Sequence, residues 1–173
     1  AGDSVIAQQD GLFTPNTALD VMSGSIADVT SDGQWLAVTV QSRRDRTDVD
    51  HMRFGDPTYV SPASTRVLLI ETTSGDQEWL FGDPVQVRGL TWSPDDTQLG
   101  YFLMVRGQYQ LRVYDIESGN TRSVSLGTTK EISSNSPLIW APDGSSVLLS
   151  LRPEAWAEEA RQAFAVMTSG PVV

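Results

Sequence analysis

Apolar and polar residues alternate on both sides of a short polar sequence, Ser-Pro-Asp-Asp. Leu90 and Trp92 alternate before it, and Leu99, Tyr101 and Leu103 alternate after it. Such alternation places the apolar side chains on one face of a β-strand. In the turn, Pro fixes φ for the bend, and the Asp carboxylates accept hydrogen bonds from backbone amides. The pattern therefore predicts a β-hairpin with one apolar face.

The same hairpin pattern occurs twice more. Residues 138–149 match it almost position for position, with Trp140 in the place of Trp92, and residues 28–38 form a weaker copy without the Pro. The turn aspartates of the three copies are 63 and 48 positions apart, and the second spacing is close to the roughly 40 to 50 residues of a propeller blade. The first spacing requires an insertion. We expect Trp92 and Trp140 to occupy equivalent, largely buried positions.

A second strand pattern ends in Ser-Gly, at residues 68–75 and again at residues 112–119, with the two glycines 44 positions apart. Each repeat then contains two successive hairpins, which make a four-stranded meander. The sequence predicts an all-β fold, a partial β-propeller of about three antiparallel blades.

The repeats divide the chain into an arm and three blades. We assign residues 1–24 to an N-terminal arm with a short helix, which Thr14 caps and Pro15 begins. The assigned ranges are residues 25–173 for the first blades as a whole, with blade 1 at 25–81 including an insertion at 41–64, blade 2 at 85–125, and an incomplete blade 3 at 133–173.

An amphipathic helix is predicted near the C-terminus, inserted between strands. Its apolar face comprises Trp156, Ala160, Ala163, Phe164 and Met167. Pro153 suits the first turn and Gly170 suits the exit. The pattern favours a helix packed on the side of blade 3 over one that binds a partner.

Composition limits the classes of function. Twelve basic and 22 acidic residues give a net charge of −10, which argues against nucleic acid or an anionic membrane as the main partner. No apolar run is long enough to span a membrane. With no Cys and one His, the sequence excludes a disulfide framework, a Cys/His zinc site and a Cys nucleophile. We assign no metal ligand, no cofactor and no catalytic residue to this chain. The polar start at residues 1–4 is typical of signal-peptide removal, although trimming would leave the same residues, and we expect an exported protein, periplasmic or extracellular.

The insertion at residues 41–64 is predicted to be a long projecting loop. It contains the sequence Arg-Arg-Asp-Arg-Thr-Asp, and the guanidinium groups of its arginines can clamp a carboxylate or a peptide terminus through paired hydrogen bonds; these arginines are Arg43, Arg44, Arg46 and Arg53. Of these, Arg44, Arg46 and Arg53 are the candidate contacts for a peptide substrate. The favoured alternative is a solvated loop held by its own Arg and Asp pairs. His51 has no second His or spaced carboxylate near it in sequence, so we interpret it as a lone surface residue.

These motifs resemble the propeller repeats of the prolyl oligopeptidase family. The resemblance rests on Trp-Ser-Pro-Asp-Asp at residues 92–96, Trp-Ala-Pro-Asp-Gly at 140–144 and Tyr-Asp-Ile-Glu-Ser-Gly at 114–119, and it covers roughly residues 14–173. Propellers of the periplasmic Tol system use similar repeats. The basic insertion and the C-terminal helix favour a secreted bacterial peptidase of the oligopeptidase type.

The resemblance implies a propeller that screens access to an α/β-hydrolase domain with a Ser-Asp-His triad. No G-x-S-x-G motif occurs here, so no triad residue can be assigned to this chain. Two hypotheses remain: a non-catalytic propeller segment of a serine peptidase, and part of a protein-binding periplasmic propeller. The expected partners are the remaining blades, the hydrolase domain and a peptide substrate, and the segment alone is expected to be neither active nor a complete folding unit.

Overall fold

The computed structural model describes residues 14–47, 49–50, 59–60 and 63–169. The strands of this part of the chain pair antiparallel throughout. The elements, in chain order, are α1 (Pro15–Leu19), β1 (Met22–Val29), β2 (Trp35–Ser42), a 3-10 helix (Arg44–Arg46), β3 (Thr65–Glu71), β4 (Gln77–Val85), β5 (Val87–Trp92), β6 (Gln98–Val105), β7 (Gln108–Asp115), β8 (Asn120–Ser123), β9 (Ile139–Trp140), β10 (Val147–Leu148) and α2 (Trp156–Thr168).

The strands form the predicted partial β-propeller. Blade 1 is the meander β1-β2-β3-β4, and blade 2 is the meander β5-β6-β7-β8. Blade 3 is one hairpin, in which β9 pairs with β10 and a bridge between Ile132 and Leu151 extends the pairing. The side chain of Trp92 is buried, as predicted, whereas the side chain of Trp140 is only partly buried.

The short N-terminal helix begins where the sequence indicates. The Thr14 hydroxyl accepts a hydrogen bond from the Thr17 amide at 3.2 Å, and the Thr17 hydroxyl accepts one from the Thr14 amide at 2.7 Å. This reciprocal capping box satisfies two amides that a helix start leaves without partners, and Pro15 occupies the first helical position, where no amide donor is needed.

The three repeat turns share one backbone geometry. The pairs that close them are Val29 with Leu36, Trp92 with Leu99, and Trp140 with Val147. The fourth turn residue has positive φ in every case, at 73° for Gly33, 59° for Asp96 and 69° for Gly144. An Asp precedes each of these residues, and its carboxylate accepts a backbone hydrogen bond from two residues further along the chain. The repeat alignment made from the sequence is therefore correct at residue level.

Blades 1 and 2 enclose the first apolar core. Its fully buried members include Val67 and Leu69 from β3 and Leu99 and Tyr101 from β6. The Phe81 ring meets the Tyr101 ring edge-on, with centroids 5.6 Å apart. Since paired residues on neighbouring strands share a face, this interface joins one face of blade 1 to one face of blade 2.

Blades 2 and 3 enclose the second core, in which the opposite face of blade 2 meets Leu138 and Trp140. Gly100 makes this approach possible, because a Cβ at this position would lie 3.0 Å from Trp140 Cζ2 and 3.2 Å from a Leu138 methyl carbon. The indole of Trp140 also donates a hydrogen bond to the Thr91 carbonyl at 3.1 Å.

Carboxylates join neighbouring blades near the turns. The Asp96 carboxylate accepts hydrogen bonds from the Ser31 amide at 2.8 Å, from the Asp32 amide at 3.2 Å and from the Ser31 hydroxyl. Asp28 Oδ2 accepts a hydrogen bond from the Trp92 amide at 2.8 Å. A residue of blade 2 thus ties down the turn of blade 1, and a residue of blade 1 satisfies a strand amide of blade 2.

Helix α2 exists as predicted, but it begins later than the sequence indicated. Pro153 was expected in its first turn, yet the helix begins at Trp156. Ala155 precedes it with φ of 63°, a left-handed conformation that interrupts the helical path from Pro153. The Arg152 guanidinium lies 4.0 Å from the Trp156 ring centroid. Among the described residues, neither apolar core includes a residue of α2.

We predict that Gly100→Ala destabilises the full chain by about 1 to 3 kcal/mol, because the new methyl group would overpack the interface with blade 3. Urea unfolding measures the change in free energy. Gly24→Ala is the matched control, since a Cβ there would be 3.6 Å from the nearest atom, an ordinary contact. Equal stability of the two variants would show that this interface does not constrain the strand.

We predict that Asp96→Asn lowers the free energy of unfolding at pH 7 by roughly 1.5 to 3 kcal/mol, the range for hydrogen bonds to a charged group. Asn tolerates the left-handed conformation, so the backbone is retained while charge is lost. Asp83→Asn, at an exposed position on β4, is the control and should leave stability nearly unchanged.

The effect of Asp96→Asn should depend on pH. Burial alone would raise the pKa of Asp96, but the hydrogen bonds from Ser31 and Asp32 outweigh it and hold the pKa below its ordinary value. The stabilisation is therefore present above the unfolded pKa of about 3.9 and is lost as pH falls through the lower folded pKa. Unfolding curves from pH 7 down to pH 3 should show the gap between variant and parent closing. A gap that does not change with pH would contradict the charged hydrogen bonds.

Candidate functional site

Two of the three predicted peptide contacts, Arg44 and Arg46, lie among the described residues, and their surroundings differ. Arg44 is already engaged, since its Nε donates a hydrogen bond to Asp20 Oδ1 at 2.7 Å. This hydrogen bond holds the pKa of Asp20 below its usual range. Arg46 lines a cavity of about 370 Å³ at the end of β2. Arg53 and His51 lie outside the described residues. These candidate contacts therefore stay predictions.

The turn that carries these arginines is fixed by Asp45. Asp45 Oδ2 accepts hydrogen bonds from the Ser42 amide at 2.7 Å, from the Ser42 hydroxyl at 2.9 Å and from Arg66 Nη1 at 3.2 Å. The side chain of Asp45 is 9% exposed. Burial alone would raise its pKa, but the Ser42 hydrogen bonds and the Arg66 charge outweigh burial and lower the pKa. The carboxylate therefore stays ionised at neutral pH and anchors the turn.

The 3-10 geometry brings Arg43 and Arg46 to the same side. Side chains three positions apart eclipse in a 3-10 helix, and the Arg46 amide bonds to the Arg43 carbonyl at 3.1 Å. Both side chains line the cavity, together with Val21, Ser23, Ser25, Gln41 and Ser42. No carboxylate is among these lining residues. The sequence analysis named the guanidinium groups of both Arg43 and Arg46 as able to bind a carboxylate, but it gave only Arg46 of the two as a candidate substrate contact.

The outer face of blade 1 is a second candidate surface. Ile26, Val38, Leu68 and Trp79 pair successively across its four strands and therefore share that face. Ile26 is 64% exposed, Trp79 is 48% exposed, and nearby Val29 is 46% exposed. An apolar row this continuous is unusual on a free surface and marks an interaction site.

The repeat shows what this outer face corresponds to in blade 2. The turn registers make Leu36 equivalent to Leu99 and Val38 equivalent to Tyr101. Leu99 and Tyr101 are fully buried against blade 1. The exposed face of blade 1 thus corresponds to the face of blade 2 that packs against blade 1, its preceding blade.

Blade 3 is exposed on the opposite side. Ile139 pairs with Leu148, and these side chains are 51% and 66% exposed. Leu148 is equivalent to Gly100, which faces the next blade. Each end of the described blade stack therefore presents apolar side chains to solvent.

Another cavity lies beside the start of α2. It has a volume of about 300 Å³ and is lined by Lys130, Glu131, Arg152, Trp156 and neighbouring residues. Arg152 already has protein partners in this cavity, because its guanidinium stacks on Trp156 and lies 3.6 Å from the Glu131 carboxylate. The local charges are therefore balanced by protein groups.

The described ranges contain neither a cluster of metal ligands nor a membrane-spanning helix. No three or more His, Cys, Asp and Glu side chains converge there on a possible metal position. No helix in that part of the chain is long and apolar enough to cross a bilayer.

No protein family and no curated protein matches this sequence. Solved structures do match it. TolB from Acinetobacter baumannii is similar with a TM-score of 0.50 and 14% identity, over 75% of this chain and 27% of that chain. Acylaminoacyl peptidase from Pyrococcus horikoshii has a TM-score of 0.53 and 12% identity, over 77% of this chain and 18% of that one. An acylaminoacyl peptidase in complex with Z-Gly-Gly-Phe-chloromethyl ketone gives the same values.

These similarities support the β-propeller fold and no finer assignment, since propellers of both peptidases and TolB are among them. The chain spans only 18 to 27% of the length of these proteins.

We predict that the 173-residue chain by itself self-associates through its exposed apolar faces. Sedimentation velocity should show oligomers, and the double substitution Ile26→Lys with Trp79→Lys should shift the distribution towards monomer. Val166→Lys is the control, because Val166 is 73% exposed and belongs to α2, not to a blade strand. A stable, folded, monodisperse monomer of the unaltered chain would contradict this prediction.

Proposed function

We propose that this segment is a non-catalytic part of the propeller of a prolyl oligopeptidase-like serine peptidase. In this role it gates or positions peptide substrate for a hydrolase domain elsewhere in the gene product, which is exported. The repeat motifs at residues 92–96, 114–119 and 140–144 support this reading. So does the similarity of the backbone to acylaminoacyl peptidases.

The observation that carries the proposal is the outer face of blade 1. The equivalents of Leu36 and Val38 in blade 2 are buried in a blade interface, so this face suits a further blade of the same gene product. The blade that covers it should present a small residue where blade 1 has Ala37 and blade 2 has Gly100. A propeller wall built from such blades surrounds a central channel, which is the element a gate requires.

A protein-binding propeller of the Tol-system type is the second candidate, because TolB from Acinetobacter baumannii matches the chain equally well. Under this alternative the gene product has no enzymatic activity, and the propeller rim contacts another protein. Both candidates use the same blades. A chemical test of the complete gene product separates them.

We predict that a fluorophosphonate probe labels the complete gene product and that the 173-residue chain remains unlabelled. The probe modifies an activated serine, which requires a base and an orienting group in addition to the nucleophile. Labelling is read by mass spectrometry, and denatured protein controls for non-specific reaction. Absence of labelling in the folded gene product would exclude the peptidase and favour the second candidate. Peptide hydrolysis by the purified chain alone would contradict the non-catalytic role.

A further inference from the structure

Two guanidinium groups that form no ion pair within the described residues face one cavity in a strongly acidic chain. Arg43 and Arg46 line it from one side of the 3-10 helix, and no ion pair engages either of them within the described residues. Two neighbouring carboxylates already have partners, Asp20 in Arg44 and Asp45 in Ser42 and Arg66. Like charges at this spacing repel each other unless an anion lies between them.

The floor of the cavity supplies further polar groups. Ser23 pairs with Gln41 and Ser25 pairs with Thr39 in the β1–β2 ladder. Thr39 pairs in turn with Val67, which is buried against blade 2. The side chains of Ser23, Ser25 and Gln41 are therefore on the blade 2 side of the sheet. A blade docked on the opposite, outer face would leave this cavity open.

The turn is held in place before any ligand binds. Asp45 ties it to Arg66 of β3, and the Ser64 amide donates a hydrogen bond to the Asp45 carbonyl at 3.1 Å. The Thr47 hydroxyl donates a hydrogen bond to the Arg44 carbonyl at 2.8 Å. A fixed backbone reduces the ordering that binding requires, so two arginines on such a turn form a better site than two on a free loop.

We propose that Arg43 and Arg46 form an oxyanion-binding site that takes the C-terminal carboxylate of a peptide. Each guanidinium can donate two parallel hydrogen bonds to a carboxylate, and the hydroxyl of Ser25 and the amide of Gln41 are further donors. The choice of a peptide as the source of the carboxylate rests on the proposed function. Inorganic phosphate is another small oxyanion that accepts hydrogen bonds from the same donors.

The test is calorimetric titration of the complete gene product, treated first with the fluorophosphonate so that hydrolysis does not contribute. The probes are an N-acetylated dipeptide with a free carboxylate, the same dipeptide as its C-terminal amide, and inorganic phosphate. We expect the acid to bind about tenfold or more tightly than the amide, with affinity falling as salt is raised.

The double variant Arg43→Gln with Arg46→Gln should lose about tenfold or more of the affinity for the acid. Arg106→Gln, an exposed arginine in the β6–β7 turn, removes a matched charge outside the cavity and should bind like the parent. Thermal unfolding checks that the double variant remains folded, which we expect because both side chains are exposed.

Equal binding of acid and amide, or parental binding by the double variant, would overturn the site. Binding of phosphate without binding of the peptide acid would overturn the peptide assignment. Absence of fluorophosphonate labelling together with carboxylate-selective binding would remove the peptidase function while supporting the site, so the two failures are distinguishable.

Discussion

The close contact between Gly100 and Trp140 is the constraint on which the blade stack depends. A large indole from one blade fits against a strand position without a side chain in the blade before it, and a methyl group would already be too close. A similar pairing of a small residue with an indole occurs one blade earlier, where Ala37 is fully buried in a cluster with Trp92. Interiors pack as densely as organic crystals, so a pairing of small with large residues sets both the spacing and the register of neighbouring blades.

Polar groups supplement this packing where the strands turn. The turn position that glycine occupies in the first and third repeats is occupied by Asp96 in the second, despite its positive φ. An aspartate there bears some conformational cost. However, its carboxylate accepts hydrogen bonds from two backbone amides and one hydroxyl of blade 1. Glycine could not make these contacts. The departure from the repeat pattern is thus explained by the blade interface.

Hairpins, blades and the capped helix could be predicted from the sequence, because they follow from local alternation, turn residues and repeat spacing. The surroundings of the candidate site could not be predicted in full. Arg44 and Arg46 are alike in sequence, and only the position of Asp20 in space shows that Arg44 is engaged. The exposure of the outer face of blade 1 could not be predicted either, because the nearly continuous apolar run of β2 is that of a strand buried on both faces. The start of α2 depended on the conformation of Ala155, which its sequence does not indicate.

The faces of successive blades are different, and this gives the stack a direction. The face that meets the next blade carries a small residue such as Gly100, and the face that meets the preceding blade carries a large one such as Trp140, so neighbours meet through heterologous contacts without a two-fold axis. Units joined in this way form a ring only when their rotations add to a full turn, and otherwise they extend head-to-tail. Copies of this chain that join the blade 1 face carrying Ile26 to the blade 3 face carrying Leu148 should therefore form open head-to-tail filaments or closed rings. They should not form symmetric pairs.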